Sequence, residues 1–330
     1  MGPKVFKLSM TFLSSHFFFR FFGWLSVAWL SAFLLDNILI VGFDFPGAFS
    51  ILNSFNSKSF FESIIYLIFV TLALFFVLRN KNSFREDSYL LHNFNTYLIR
   101  SFFWAIVLVG VTDFSLAFMR VENLLEVFLS KDFANKFNYP SFVGTYVHLP
   151  LIAIGFLLGK LTKTIGFHYL SLLLVVAEFV IVISRYVFSY EQTFMGDLVR
   201  YWYAGLFLFA SAFTLFEDSH VRVDIIYQGL TEKRKALINA LGAIFFGCTT
   251  SIVIIFLGFN GKHSIINSPV KNFEVSMQGN VGMYVKYHLA AFLGIFAVTM
   301  FLQFISYFFE SIADLRGEKG KRVIENYKDR

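Results

Sequence analysis

The chain has 330 residues, of which 57% are apolar and only 15% are charged, and its formal net charge is +6. A soluble domain carries about 25% charged residues, so this composition excludes a soluble globular domain and indicates an integral membrane protein. The single cysteine, Cys248, excludes an intrachain disulfide, and the sequence lacks the Cys/His spacing of a zinc site. The basic residues fall between apolar runs rather than on one hydrophilic face, which does not fit nucleic-acid binding.

Eight apolar runs are long enough to cross a bilayer, whose core needs about 20 apolar residues per helix. We therefore predict an all-α, polytopic membrane protein with about eight transmembrane helices. The first run follows Lys4 and Lys7 as in a signal peptide, but it is too long and no small-residue cleavage pattern follows it. We expect it to be a retained span. The predicted spans are Phe21–Ile40, Phe61–Leu78, Phe102–Phe118, Val143–Gly159, Tyr169–Phe188, Tyr201–Phe216, Leu237–Phe259 and Tyr287–Phe309.

The placement of Lys and Arg predicts the orientation of these spans. With the N-terminus inside, 19 of the 28 basic residues fall on the cytoplasmic side, so both termini are predicted to be cytoplasmic. A polar seam, Lys160–Gly166, separates two four-span halves that show no repeat. We predict an N-terminal four-helix membrane extension (1–166), a second four-helix domain (167–316) and a cytoplasmic charged tail (317–330).

Ionisable residues inside spans are informative, because a charge at the centre of a bilayer costs at least about 2.5–3.5 kcal/mol. Glu178 lies near the centre of the fifth predicted span, and Arg185 follows two helical turns later on the same face. Glu178 either belongs to an ion or substrate path or is a buried hydrogen-bond or ion-pair partner that fixes helix packing, within the chain or against another subunit. The second interpretation is favoured. Asp36 and Asp113 lie toward helix ends and are expected to be solvated or capped.

Several signatures of catalysis and transport are absent from the sequence. It contains no phosphate-binding loop, no His-Glu-x-x-His, no Gly-x-Ser-x-Gly and no paired, Pro/Gly-interrupted spans of the kind that bind substrate in carriers. Gly155 and Gly159 have the Gly-x-x-x-Gly spacing that permits close helix packing. These features favour a membrane scaffold over an enzyme.

The seven histidines raise a redox alternative, since bis-His haem is a common use of His between membrane helices. His148 and His288 lie near the outer ends of their predicted spans, and the eight-span arrangement allows them to face one another. The inner leaflet offers only His168, so no second pair forms. A haem- or quinone-binding membrane anchor of a redox complex therefore stays open as the alternative function.

Three motifs in the C-terminal half occur in a recognisable order: Ser-Arg-Tyr-Val-Phe at 184–188, Asp-Leu-Val-Arg-Tyr at 197–201 and Glu-Asp-Ser-His-Val-Arg-Val-Asp at 217–224. Together they resemble the small permease subunit of TRAP transporters, the DctQ-type family, over about residues 169–316. The acidic pair usual before Leu-x-Arg-Tyr is reduced here to Asp197, with Glu191 displaced. The N-terminal four spans lie outside the minimal family unit and look like those of extended small subunits.

The resemblance implies a non-enzymatic scaffold subunit, without a cofactor, in the multi-pass inner membrane of a bacterium. A large DctM-type permease would carry the solute, an organic acid anion, coupled to a sodium gradient. A periplasmic DctP-type binding protein would deliver that anion. Membrane lipid is a further expected partner, and nucleic acid is not.

The resemblance and the spans together suggest subunit-interface or structural roles for eight residues, and no catalytic or metal-binding residue. Arg185, Asp197 and Arg200 lie at the predicted outer interface, where an ion pair would brace the fifth and sixth helices or contact the large subunit. On the cytoplasmic side, Asp224 would cap the next segment while Arg222 reaches lipid phosphate or the partner. Solvated loop charge is the alternative for each. The set is Glu178, Arg185, Asp197, Arg200, Tyr201, His220, Arg222 and Asp224.

Overall fold

The computed structural model describes residues 3–52, 55–163, 167–216, 225–276 and 279–321. The described residues are 83% helical and include no strand. Eight of the described helices are long and apolar enough to cross a membrane, which confirms the predicted fold class. The cytoplasmic location of the termini stays a prediction. The eight helices are α1 (Pro3–Phe43), α2 (Ser57–Arg79), α3 (Phe84–Val121), α4 (Pro140–Leu161), α5 (Phe167–Val187), α6 (Thr193–Phe216), α7 (Glu232–Gly258) and α8 (Lys286–Arg316).

The connectors between these helices contain short helical turns. A 3-10 turn, Ala48–Leu52, lies between α1 and α2, and the α3–α4 connector holds Leu125–Phe128 and Lys131–Lys136. The long α7–α8 connector holds Asn267–Lys271 and a 3-10 turn at Gly279–Val281.

Besides α1, which begins at Pro3 rather than at Phe21, two helices begin well before their predicted starts. The helix predicted from Phe102 begins at Phe84, and the helix predicted from Tyr201 begins at Thr193. Several polar residues in the added turns of α3 have partners in the fold: the Ser88 hydroxyl, for example, donates to the Ser306 carbonyl at 2.8 Å. Hydropathy takes no account of such partners, so both spans predicted from it were too short.

A π-helical turn interrupts α4 at Gly144–His148, where the Leu149 amide donates to the Gly144 carbonyl. Pro150 follows directly and explains the wider turn, because proline has no N–H and its ring clashes with the carbonyl four residues earlier. The turn ends at His148, whose side chain is fully buried.

The chain forms two compact units. One comprises residues 1–92, 220–251 and 301–330, and the other comprises residues 93–219 and 252–300. The second unit has an apolar core in which Phe194, Tyr201 and Phe209 of α6 are fully or almost fully buried. The domain boundary predicted at residues 166 and 167 describes a different division, and it stays a prediction.

A buried ion pair organises the first unit. The Arg20 guanidinium of α1 donates to the Asp87 carboxylate of α3 at 2.6 Å, and both side chains are almost fully buried. Arg20 also donates to the Asn80 carbonyl at 2.7 Å, and the Asn82 amide donates to Asp87 at 3.1 Å. The pair is therefore fully hydrogen-bonded and fixes the turn between α2 and α3.

In the second unit, two glycines let α4 pack directly against α3. A Cβ atom at Gly155 would lie 2.7 Å from the Ala105 nitrogen, and one at Gly159 would lie 2.7 Å from the Ser101 nitrogen. Real Cβ atoms do not approach backbone this closely, so any larger residue would push the helices apart. The packing role predicted for this glycine pair is confirmed.

Gly155→Ala is therefore expected to destabilise the protein by about 1–3 kcal/mol, because the added methyl group overpacks the contact with Ala105. Gly242→Ala is the matched control: Gly242 lies in α7 with open space at its Cβ position. Alanine there favours the helix by up to about 1 kcal/mol. Thermal unfolding of the two purified variants in detergent measures the difference, and equal midpoints would contradict the close contact.

Candidate subunit-interface site

Two buried carboxylates hold the connector before α8 by its backbone. Asp197 Oδ2 accepts a hydrogen bond from the Met283 amide at 3.1 Å, and Asp113 Oδ2 accepts one from the Tyr284 amide at 2.6 Å. Asp197 is 4% exposed and Asp113 is fully buried. The expectation that Asp113 is solvated or capped at a helix end is wrong, because the connector covers that end of α3.

A buried cation holds the same connector. Arg120 of α3 donates to the Gly282 carbonyl at 2.9 Å, and its guanidinium lies 3.9 Å from the centre of the Tyr284 ring. Burial raises the pKa of Tyr284, so its hydroxyl stays protonated and donates to the Asn138 carbonyl at 3.0 Å. Three consecutive residues, 282–284, are thus each bound by a charged side chain.

Behind this connector, aromatic and imidazole side chains form a buried hydrogen-bonded chain. The Tyr201 hydroxyl lies 3.4 Å from His288 Nδ1, and His288 Nε2 lies 3.2 Å from His148 Nδ1. His148 Nδ1 also lies 2.5 Å from the Tyr287 hydroxyl. At the far end, His148 Nε2 is 3.5 Å from Asp113 Oδ1, which is an electrostatic contact rather than a good hydrogen bond.

One arrangement of protons accounts for the hydrogen bonds of this chain with both imidazoles neutral. If His148 carries its proton on Nε2, facing the carboxylate, the single lone pair of its Nδ1 is shared by the Tyr287 hydroxyl and His288 Nε2–H in a three-centre hydrogen bond. The remaining nitrogen of His288 then accepts from the Tyr201 hydroxyl. The tautomers follow from the partners, and the chain connects α3, α4, α6 and α8 inside the second unit.

The histidines do face one another, but their spacing does not fit the axial ligands of a haem. Metal–imidazole bonds are about 2 Å long, so two ligands on opposite sides of a metal hold their nitrogens about 4 Å apart. The nearest nitrogens of His148 and His288 are 3.2 Å apart and bonded to each other. His148 and His288 are therefore engaged in hydrogen bonds.

The outer ion pairs join residues that are close in sequence. Arg200 contacts Asp197 at 3.3 Å one helical turn away in α6, and its side chain is 63% exposed. Arg185 contacts Glu191 in the α5–α6 connector at 3.3 Å, and both side chains are more than half exposed. The Asp197–Arg200 pair therefore does not brace α5 against α6; Asp197 instead binds the α7–α8 connector.

Glu178 lies on the exposed side of α5, and it has no hydrogen-bond or ion-pair partner among the described residues. The structure therefore does not support an internal packing role for Glu178 within the described residues. His220, Arg222 and Asp224 lie outside the described residues, so the roles suggested for them stay predictions.

The first unit contains a second pair of buried carboxylates that sequence reasoning missed. Glu62 accepts from the Gly47 amide at 3.1 Å, while Asp36 accepts from the Ala48 amide at 3.5 Å and from the Tyr66 hydroxyl at 3.2 Å. Both acids are almost fully buried, so the expectation of a solvated or capped Asp36 is also wrong. The available signal was a carboxylate in a terminal turn of each span beside a glycine-containing connector.

Comparison with known families identifies the second half of the chain. Residues 174–314 match the family described as tripartite ATP-independent periplasmic transporters, DctQ component. This region of the chain, here called the DctQ region, is similar to a DctQ component. It covers most of α5 and all or nearly all of α6 to α8, and α1–α4 precede it as additional helices, so the resemblance predicted from the motifs is confirmed. No curated protein and no solved structure matches the chain.

The Asp-Leu-Val-Arg-Tyr motif of the DctQ region combines buried and exposed residues of α6. Asp197 and Tyr201 are four residues apart, so they share one helix face, and both are buried. They bind the α7–α8 connector and the imidazole chain. Arg200 contacts Asp197 at 3.3 Å but is mostly exposed.

Asp197→Ala in the DctQ region is expected to destabilise the protein by about 1–3 kcal/mol, because the buried Met283 amide loses its acceptor. Asp197→Asn should recover part of this loss, since its carbonyl oxygen still accepts. Glu191→Ala is the control: it removes a carboxylate from an exposed pair, a change of about 0–1 kcal/mol. Thermal unfolding in detergent measures all three, and a loss for Glu191→Ala as large as for Asp197→Ala would contradict the assignment.

Proposed function

We propose that the chain is the small, non-enzymatic scaffold subunit of a TRAP transporter in a bacterial inner membrane, with both termini in the cytoplasm. In this role it supports sodium-coupled uptake of an organic acid anion by a DctM-type large permease and a DctP-type periplasmic binding protein. The observation that carries the proposal is that Asp113 and Asp197 bind the backbone of a connector that lies inside the DctQ region.

A carrier needs groups that release their ligand on every cycle. Freeing Asp113 or Asp197 to bind a solute or an ion would leave a buried amide without an acceptor, which costs about 1–3 kcal/mol for each. Arg120 is likewise engaged by the Gly282 carbonyl and the Tyr284 ring. These contacts favour a fixed body beside a moving permease over a carrier in its own right.

The predicted orientation puts the α7–α8 connector on the periplasmic side, where a soluble binding protein would dock. Residues 282–284 are fixed at the end of this connector, and Ile265 and Val270 are exposed along it. A surface that is already ordered loses little conformational entropy on binding. This supports a docking role for the connector.

No observation favours the alternative of a haem or quinone anchor. The two candidate ligands, His148 and His288, are bonded to each other, and the DctQ match points to transport.

The proposal is tested by purifying the tagged full-length chain from its native membrane. A large polytopic membrane protein should co-purify, without a Soret absorbance. Proteoliposomes of that complex, given the periplasmic binding protein, should take up radiolabelled organic acid anions with a sodium gradient and not with a potassium gradient. The chain alone should take up none. Co-purification of redox-enzyme subunits with a Soret band would overturn the proposal in favour of the anchor.

A further inference from the structure

Helix α5 is the most exposed of the eight spans. Only 6% of its most apolar stretch is buried within the chain, against 22–50% for the other seven spans. One side of α5 packs on the core of the second unit through Leu170, Leu173, Ala177 and Ile181. The opposite side is apolar and uncovered; its exposed residues include Leu172, Val175, Phe179, Val182 and Tyr186.

Glu178 lies on this uncovered side, in the middle of the 20-residue span. At 1.5 Å per residue, it is about 15 Å from either end of the helix, which is too deep for contact with lipid headgroups. Its neighbours one turn away on the same face, Val175 and Val182, carry no hydrogen-bonding group. Arg185 contacts Glu191 instead.

The carboxylates that lie nearer the ends of spans are treated differently by this chain. Asp36, Glu62, Asp113 and Asp197 are all buried, and each accepts a backbone amide. A carboxylate left in lipid at mid-bilayer is unfavourable by at least about 70-fold in insertion equilibrium. Within the described residues, these four carboxylates have a hydrogen-bond donor, and Glu178 has none.

We propose that the exposed face of α5 centred on Glu178, here called the Glu178 face, binds a membrane-spanning helix of the large permease. That helix presents a Lys or Arg side chain to the Glu178 carboxylate at mid-membrane. The inference rests on the proposed function, because it assigns the surface through which the scaffold holds its membrane partner.

Charge selects this occupant over a second copy of the same chain. A two-fold symmetric contact between two Glu178 faces would bring two carboxylates together in a low-dielectric environment, where like charges oppose one another. A basic side chain from a different subunit neutralises the carboxylate instead. Apolar neighbours such as Phe179, 65% exposed, supply the packing area around that pair.

The test uses the full-length chain co-expressed with the large permease and purified through a tag on the scaffold. Glu178→Leu should reduce recovery of the permease by at least about tenfold, equivalent to ~1.4 kcal/mol of binding free energy. Val175→Trp, which is bulky on the same face, should act in the same direction. Leu67→Trp is the matched control, since Leu67 of α2 is 65% exposed on a different span, and it should leave recovery unchanged.

A second readout separates binding from folding. The thermal unfolding midpoint of the chain purified alone should be unchanged or higher in Glu178→Leu, because the substitution removes an unpartnered carboxylate from an apolar face. A lowered midpoint would assign Glu178 to internal packing and overturn the proposal.

A photo-crosslinking amino acid at position 179 identifies the occupant directly. Crosslinks to a span of the large permease are expected, and crosslinks only to lipid or to a second copy of the chain would overturn the assignment. If the wild type retains the permease and both face variants do so equally well, the Glu178 face is wrong while the proposed function stands. If the wild type recovers no permease, the proposed function itself fails, and this inference with it.

Discussion

Polar groups inside a hydrocarbon layer must find their partners within the protein, and this constraint shapes both compact units. In each unit, two buried carboxylates bind two consecutive backbone amides of a connector: Met283 and Tyr284 in one, Gly47 and Ala48 in the other. Charge-assisted hydrogen bonds of this kind are strong where water is excluded. The buried carboxylates of the helices thereby fix the positions of the connectors. The predicted topology puts both connectors on the outer side of the membrane.

The same constraint connects the DctQ motif to the architecture. Tyr201 and Asp197 share a helix face, and the hydrogen-bonded chain from Tyr201 leads through the two histidines toward Asp113. A change at one of these residues leaves the next without a partner, so the cluster acts as a unit. Such interdependence suits a body that must keep its shape while a neighbouring subunit moves.

Composition and hydropathy were enough to predict eight spans, and the spacing of Gly155 and Gly159 was enough to predict a close helix contact. Both depend on local sequence, which a window or a short motif captures. The burial of Asp36 and Asp113 was out of reach, because it depends on connectors that fold back over helix ends. Hydropathy registers a charge near the end of a span as one more solvated residue and has no means to detect the amide that binds it. The early start of α3 at Phe84 escaped prediction for the same reason.

The interpretation of Glu178 needs both the sequence, which gives its depth in the span, and the structure, which gives its exposure. The sequence marks it as anomalous by its depth in a span, but internal packing then seems the simplest explanation. The structure turns the carboxylate outward on the least buried helix, while four other acids show how this chain satisfies a carboxylate when it does so internally. A residue that breaks the pattern kept elsewhere in its own chain calls for a partner from outside it. The proposed complex gives the exposed face of α5 and its charge a single explanation, since the subunit that covers the apolar surface would also neutralise the carboxylate.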